Sequence, residues 1–141
     1  MKVTSLAPSM GAEITDIDLA ACCDRTTGSI DSAVIAEIRS AWLAHQRVVI
    51  RAQSISPAEQ LQFAKAIGEP DIYPFLKGLD EFPMITEVLK KETETVNFGG
   101  VWHSDTTSQP CPPMATVVYA KELPPLGGDT LFSNQYAAYA Q

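Results

Sequence analysis

Trp102-His103-Ser104-Asp105 and, further on, Gly127-Gly128-Asp129-Thr130-Leu131-Phe132 are the stretches whose reading decides the fold. Side chains alternate along an extended segment, so His103 and Asp105 project to the same side. An imidazole and a carboxylate placed this way supply two of the three corners of a 2-His-1-carboxylate site for non-haem Fe(II). A His-x-Asp alone is weak evidence, because it occurs by chance in many chains. Its value rises with what lies between the two stretches. There is a proline-rich loop at Gln109-Pro110-Cys111-Pro112-Pro113, a strand-like run over residues 114–120, and the turn signal Leu123-Pro124-Pro125.

With Lys121-Glu122-Leu123-Pro124-Pro125 added, the set resembles the taurine dioxygenase (TauD/TfdA) family. Gly11-Ala12-Glu13-Ile14 and the two helix-like segments before Gly68 fit the opening of that family, so the resemblance covers nearly the whole chain. It implies an α+β fold, a double-stranded β-helix (jelly roll, cupin-like) with flanking N-terminal helices. It also implies Fe(II), 2-oxoglutarate as cosubstrate, and O₂. Its site residues fall here on His103 and Asp105 as metal ligands and on Thr130, whose hydroxyl meets the far carboxylate of 2-oxoglutarate. Tyr73 and Asn97 fall in segments that flank the substrate pocket in relatives, and Thr106 directly follows the metal aspartate; these three are the expected substrate contacts. Tyr73 stands where taurine-specific members carry a histidine, which points away from taurine itself.

The family closes its metal site with a second histidine and pairs 2-oxoglutarate with an arginine, a bidentate, charge-assisted contact. Here the only other histidine is His45, while Arg25, Arg39, Arg47 and Arg51 all precede Trp102. The expectation is therefore that residues 1–141 are the N-terminal part of a single dioxygenase domain whose closing strands are absent, and that the chain alone does not turn over 2-oxoglutarate. The implied reaction hydroxylates a small organic acid or sulfonate-like substrate, with release of succinate and CO₂. A reading of another class is a catalytically inactive remnant, or a binding and assembly module requiring a second chain. The implied partners are a small molecule and either a second copy (a homo-oligomer) or the missing C-terminal segment.

Each of these residues also has an ordinary reading. An arbitrary His-x-Asp is a surface histidine beside a capping aspartate, and Thr130 would suit any strand after a Gly-Gly turn. His45 lies at a predicted helix end, where an imidazole suits the last carbonyls. Cys111 follows Asp105 closely, but thiolate does not suit this class of iron site. Cys22 and Cys23 read as small core or loop residues.

Ten basic against 17 acidic side chains give a formal charge of -7, which argues against nucleic acid or an anionic membrane as a partner, since both call for a basic face. No apolar run approaches the roughly 20 residues of a membrane span. The first residues lack an apolar signal core, so a cytoplasmic location is expected. Three cysteines, an odd number, do not make a disulfide framework. An apolar fraction of 45% suffices for one buried core.

Along the chain, residues 3–6 and 13–19 read as short strands around a turn at 8–11. After a polar loop at 24–29, Asp31 or Ser32 caps a helix with Ile35, Ile38 and Trp42 on one face, ending near His45. Residues 48–50 read as a buried strand. Ser56-Pro57-Ala58-Glu59 is a capping box with proline at the first helical position. Its helix points Leu61, Ala64 and Ile67 inward and stops at Gly68 and Pro70. Extended segments at 72–75 and 84–89 flank a turn at 78–80, and 90–95 reads as a solvated tip. Strands over 114–120 and 129–132 follow, and Ser133 or Asn134 then caps a helix over 135–140.

Overall fold

Order begins with a hairpin. Lys2–Ser5 (β1) and Ala12–Thr15 (β2) pair antiparallel, with Lys2 opposite Thr15 and Ser5 opposite Ala12. The Leu6 amide closes the turn on the Gly11 carbonyl at 2.9 Å. Gly11 adopts φ +92°, a left-handed value that favours glycine, and the Arg47 guanidinium lies close over it. This computed structural model describes residues 1–24, 26–96 and 98–141.

β2 also pairs in parallel with Val48–Ile50 (β5), Ala12 opposite Val48 and Ile14 opposite Ile50, which makes β2 the middle strand of three. Parallel neighbours need a crossover. The crossover carries a one-turn helix Leu19–Cys22 (α1), a two-residue ladder of Cys23–Asp24 (β3) with Ser29–Ile30 (β4), and the helix Ser32–His45 (α2). Alternation along β2 sends Ala12 and Ile14 into the core, both fully buried.

The helix ends follow from capping chemistry. Asp31 Oδ1 accepts from the Ala33 amide at 2.8 Å to start α2, and Gln46 in the left-handed region (φ 66°) ends it. Pro57–Ile67 (α3) begins with the full capping box: Ser56 Oγ accepts from the Glu59 amide, and the Glu59 carboxylate accepts from the Ser56 amide at 2.8 Å. Ile14, Leu19, Ile35, Ile38, Ala41, Ile55 and Phe63 form one buried cluster. Each fully buried isoleucine contributes about 1.5–3 kcal/mol relative to exposure.

Three local expectations change. The strand expected over 13–19 ends at Thr15, because Asp18 accepts from the Ala20 and Ala21 amides and starts α1 at Leu19. The polar loop at 24–29 is flanked by the β3–β4 ladder. On α3 the deepest apolar side chain is Phe63, with Leu61, Ala64 and Ile67 half-buried.

Beyond Gly68 the expected strands at 72–75, 84–89, 114–120 and 129–132 do not form ladders. Among the described residues this half holds a single bridge, Gly78 to Thr86, and the short helix Gln135–Tyr139 (α4), capped by Asn134 Oδ1 on the Ala137 amide at 3.0 Å. A strand exists only against a partner, so β-branched sequence alone does not make one. The observed fold is thus α+β with mixed pairing in its first half.

Contacts among the described residues moor the second half to the first. Met114 lies over Gly68, where a Cβ would meet its methyl at 2.6 Å. The Tyr119 hydroxyl donates to the Gln53 carbonyl at 3.2 Å and accepts from the Ile55 amide at 3.4 Å. The Arg47 guanidinium stacks on the Phe132 ring at 4.4 Å. Asn134 Nδ2 donates to the Ser9 carbonyl at 2.6 Å. No helix among the described residues is long and apolar enough to cross a membrane.

Candidate metal centre

His103 and Asp105 converge as the alternation predicts: His103 Nε2 lies 3.2 Å from Asp105 Oδ1, with both side chains about half exposed. His103 Nδ1 sits 2.7 Å from the Val101 carbonyl. A carbonyl only accepts, so Nδ1 carries the hydrogen and Nε2 is the nitrogen turned toward the carboxylate. In the neutral ring the Nε2 lone pair then faces the Asp105 carboxylate oxygen, an arrangement that suits a cation between them. The ring lies over Gly99, whose φ is +69° and where a Cβ would stand 3.2 Å from His103 Cε1.

This donor pair fits a metal ion. Nitrogen and oxygen ligands at about 2.1 Å, roughly at right angles, are themselves about 3 Å apart. The observed 3.2 Å lies in that range. A ring nitrogen fixed by a carbonyl on its far side is also the usual arrangement of a ligating histidine. Asp105 Oδ2 is occupied separately, accepting from the Thr116 hydroxyl at 2.9 Å. Thr116 was not legible beforehand as part of the site. The available signal is a single hydroxyl in the otherwise apolar run Met114-Ala115-Thr116-Val117-Val118.

Among the described residues no third His, Cys, Asp or Glu joins the pair. His45 ends α2, where its carbonyl accepts from the Gly11 amide at 2.8 Å, and Cys111 is an exposed loop thiol. Cys22 is equally unsuited to ligation, since burial first, and then the carboxylates of Asp31 and Asp18, push its thiol pKa up.

The other expected site residues are dispersed. Thr106 follows Asp105 with φ 45°, an uncommon conformation for a β-branched residue, costing on the order of 1–3 kcal/mol. Its carbonyl accepts from the Gln109 amide at 3.1 Å, so the chain turns sharply after the carboxylate. Tyr73 packs edge-on against Phe75, with centroids 5.4 Å apart, and lines an open concavity of about 570 Å³ built from residues 72–80 and Pro83. His103 and Asp105 do not line it. Thr130 is exposed, after two left-handed glycines, and no hydrogen bond among the described residues joins it to His103 or Asp105. Asn97 lies outside the described residues.

Comparison with known proteins agrees with the motif reading. The family model described as taurine catabolism dioxygenase TauD, TfdA family matches residues 2–141. An alpha-ketoglutarate-dependent sulfate ester dioxygenase of Pseudomonas putida is 28% identical over 142 residues, covering 100% of this chain and 44% of the relative. An (S)-phenoxypropionate/alpha-ketoglutarate-dioxygenase of Delftia acidovorans is 28% identical over 148 residues, covering 99% and 48%. An alpha-ketoglutarate-dependent 2,4-dichlorophenoxyacetate dioxygenase of Cupriavidus pinatubonensis is 27% identical over 150 residues, covering 95% and 50%. The chain spans about half the length of these curated relatives.

Proposed function

The chain belongs to the TauD/TfdA dioxygenase family, and from that premise we propose that it supplies two ligands of an Fe(II)- and 2-oxoglutarate-dependent dioxygenase. The observation that carries this reading is the convergence of His103 Nε2 and Asp105 Oδ1 at 3.2 Å, with the ring set by Val101. When bound, the iron with 2-oxoglutarate and O₂ supplies the oxidising chemistry that hydroxylates a C–H bond, releasing succinate and CO₂. The protein holds and orients. His103 donates through Nε2 and Asp105 through Oδ1, while Thr130 offers a hydroxyl to the far carboxylate of the cosubstrate.

The relatives are named for a sulfate ester, a phenoxypropionate and a dichlorophenoxyacetate. A small organic acid or sulfonate-like anion is therefore the substrate class proposed here. Tyr73, Asn97 and Thr106 are its proposed contacts. In this reading residues 1–141 are one part of a double-stranded β-helix domain. The runs at 114–120 and 129–132 pair once partner strands reach them, from a further segment or from a second copy. The working location is the cytoplasm.

The test is succinate formation in the whole protein, together with binding of Fe(II) under anaerobic conditions. His103→Ala and Asp105→Ala should each abolish both, whereas Thr130→Ala should chiefly raise the KM for 2-oxoglutarate. Losing a hydrogen bond to a charged group costs about 1.5–3 kcal/mol, which is a rise of roughly 10- to 150-fold. Undiminished iron binding in the Asp105 variant would remove the basis of the assignment.

A further inference from the structure

We propose that Thr116 is a positioning residue for the metal-binding carboxylate; this rests on the reading of His103 and Asp105 as ligands. The Thr116 hydroxyl donates to Asp105 Oδ2 at 2.9 Å, and the other oxygen, Oδ1, is the one facing His103 Nε2. One hydroxyl therefore decides which carboxylate oxygen is free. With Oδ2 occupied, Asp105 presents a single oxygen with a fixed direction, and its rotation about the terminal side-chain bond, broad in a free carboxylate, is restricted.

Thr116 can do this because its own run is moored on both sides. Met114 lies over Gly68 at the end of α3, and the Tyr119 hydroxyl is held between the Gln53 carbonyl and the Ile55 amide. Ile55 belongs to the buried cluster. Asp105 has no such mooring: it sits in an exposed segment without helix or strand, next to the strained turn at Thr106. The hydroxyl transfers the frame of the folded half to a ligand that lies outside it. Outer partners of this kind typically change metal affinity 10- to 100-fold when removed.

Valine is nearly isosteric with threonine and lacks only the donor, so Thr116→Val isolates the bond, and Thr116→Ser restores it. The probe is Mn(II) alone, titrated into the chain while NMR line broadening is followed residue by residue, a measurement that detects weak binding. The Ile55 amide resonance, which reports the Tyr119 contact, shows whether the run stays moored. Thr116→Val should weaken localised binding about 10- to 100-fold, with the Ile55 resonance unmoved and Thr116→Ser close to wild type. Wild-type affinity in Thr116→Val overturns the proposal. So does a loss that Thr116→Ser fails to restore, or one that comes with a shifted Ile55 resonance. The parent reading fails differently: the wild type then shows no broadening around His103 and Asp105, or Asp105→Ala broadens just as the wild type does.

Discussion

Ile14 on β2 is fully buried, whereas Val118, in an equally β-branched run, is 83% exposed. The two residues stand for the two regions of the molecule. Up to Gly68 the elements share one core: β2 lies between β1 and β5, α2 packs against β2 and β5, and α3 packs against α2, with Ile14, Ile38 and Phe63 in one buried cluster. After Gly68, Leu123, Leu126, Leu131 and Tyr139 lie open to solvent, and among the described residues the chain is moored at Met114, Tyr119, Phe132 and Asn134 rather than packed around a buried core of its own. The difference teaches which signals act alone. A cap is satisfied within four residues, while a strand needs a second strand that its own sequence does not contain.

The largest effect expected from this contrast is in stability. Ile38→Ala removes a side chain that is 2% exposed from the centre of the cluster and should cost about 2–5 kcal/mol. Leu126→Ala, of similar apolar loss but at 89% exposure, should stay within about 0.5 kcal/mol. Urea midpoints of the two variants measure the contrast directly. Comparable losses would mean that the second half carries a packed core in solution.

A middle-sized effect is expected where the halves meet. Tyr119→Phe keeps the ring and deletes the hydroxyl that bridges Gln53 and Ile55, a loss of about 0.5–1.5 kcal/mol. Limited proteolysis within 114–120 should speed up while amide hydrogen exchange leaves β2 protected, because only the mooring is cut. Faster exchange throughout α2 and β2 would instead make the two regions one cooperative unit.

This division also explains what could be read from the sequence. Ser56 with Glu59 was legible, and the caps of α2 (Asp31 or Ser32) and α4 (Ser133 or Asn134) were legible to within one residue, because each cap bonds to an amide two or three residues away. The proximity of His103 and Asp105 was legible for the same reason, since the spacing that aligns them is local. Thr116 was not, because its partner Asp105 is 11 positions away and nothing in a lone threonine names it. The strands at 114–120 and 129–132 were read from composition, which measures fitness for a half-buried pleat and not the presence of a neighbour. Tyr73, placed beside the substrate by resemblance, lies in a concavity of its own segment, which no local pattern announces.

The smallest effect belongs to a single local device in the ordered half. Asp24 accepts from the Thr26 and Thr27 amides, at 2.7 and 3.1 Å, in the turn between β3 and β4. Those amide bonds, the Thr26 bond foremost, lower the carboxyl pKa from its ordinary value. A carboxyl whose pKa is lower folded than unfolded stabilises the fold while ionised. That contribution is complete above the unfolded value of about 3.9 and disappears as pH falls through the lower folded one. Asp24→Asn keeps an oxygen for the same amides but cannot titrate, so it serves as the pH-independent reference. Urea midpoints of the two proteins, compared from about pH 6 to about pH 2.5, should differ most at the upper end and converge downward. All other carboxylates titrate in both proteins and cancel in the difference. Curves that stay parallel would show that the turn does not hold the charge in the folded state. Hydrogen exchange over 69–141 should be the same in both, because this device acts within its own turn, as the caps do.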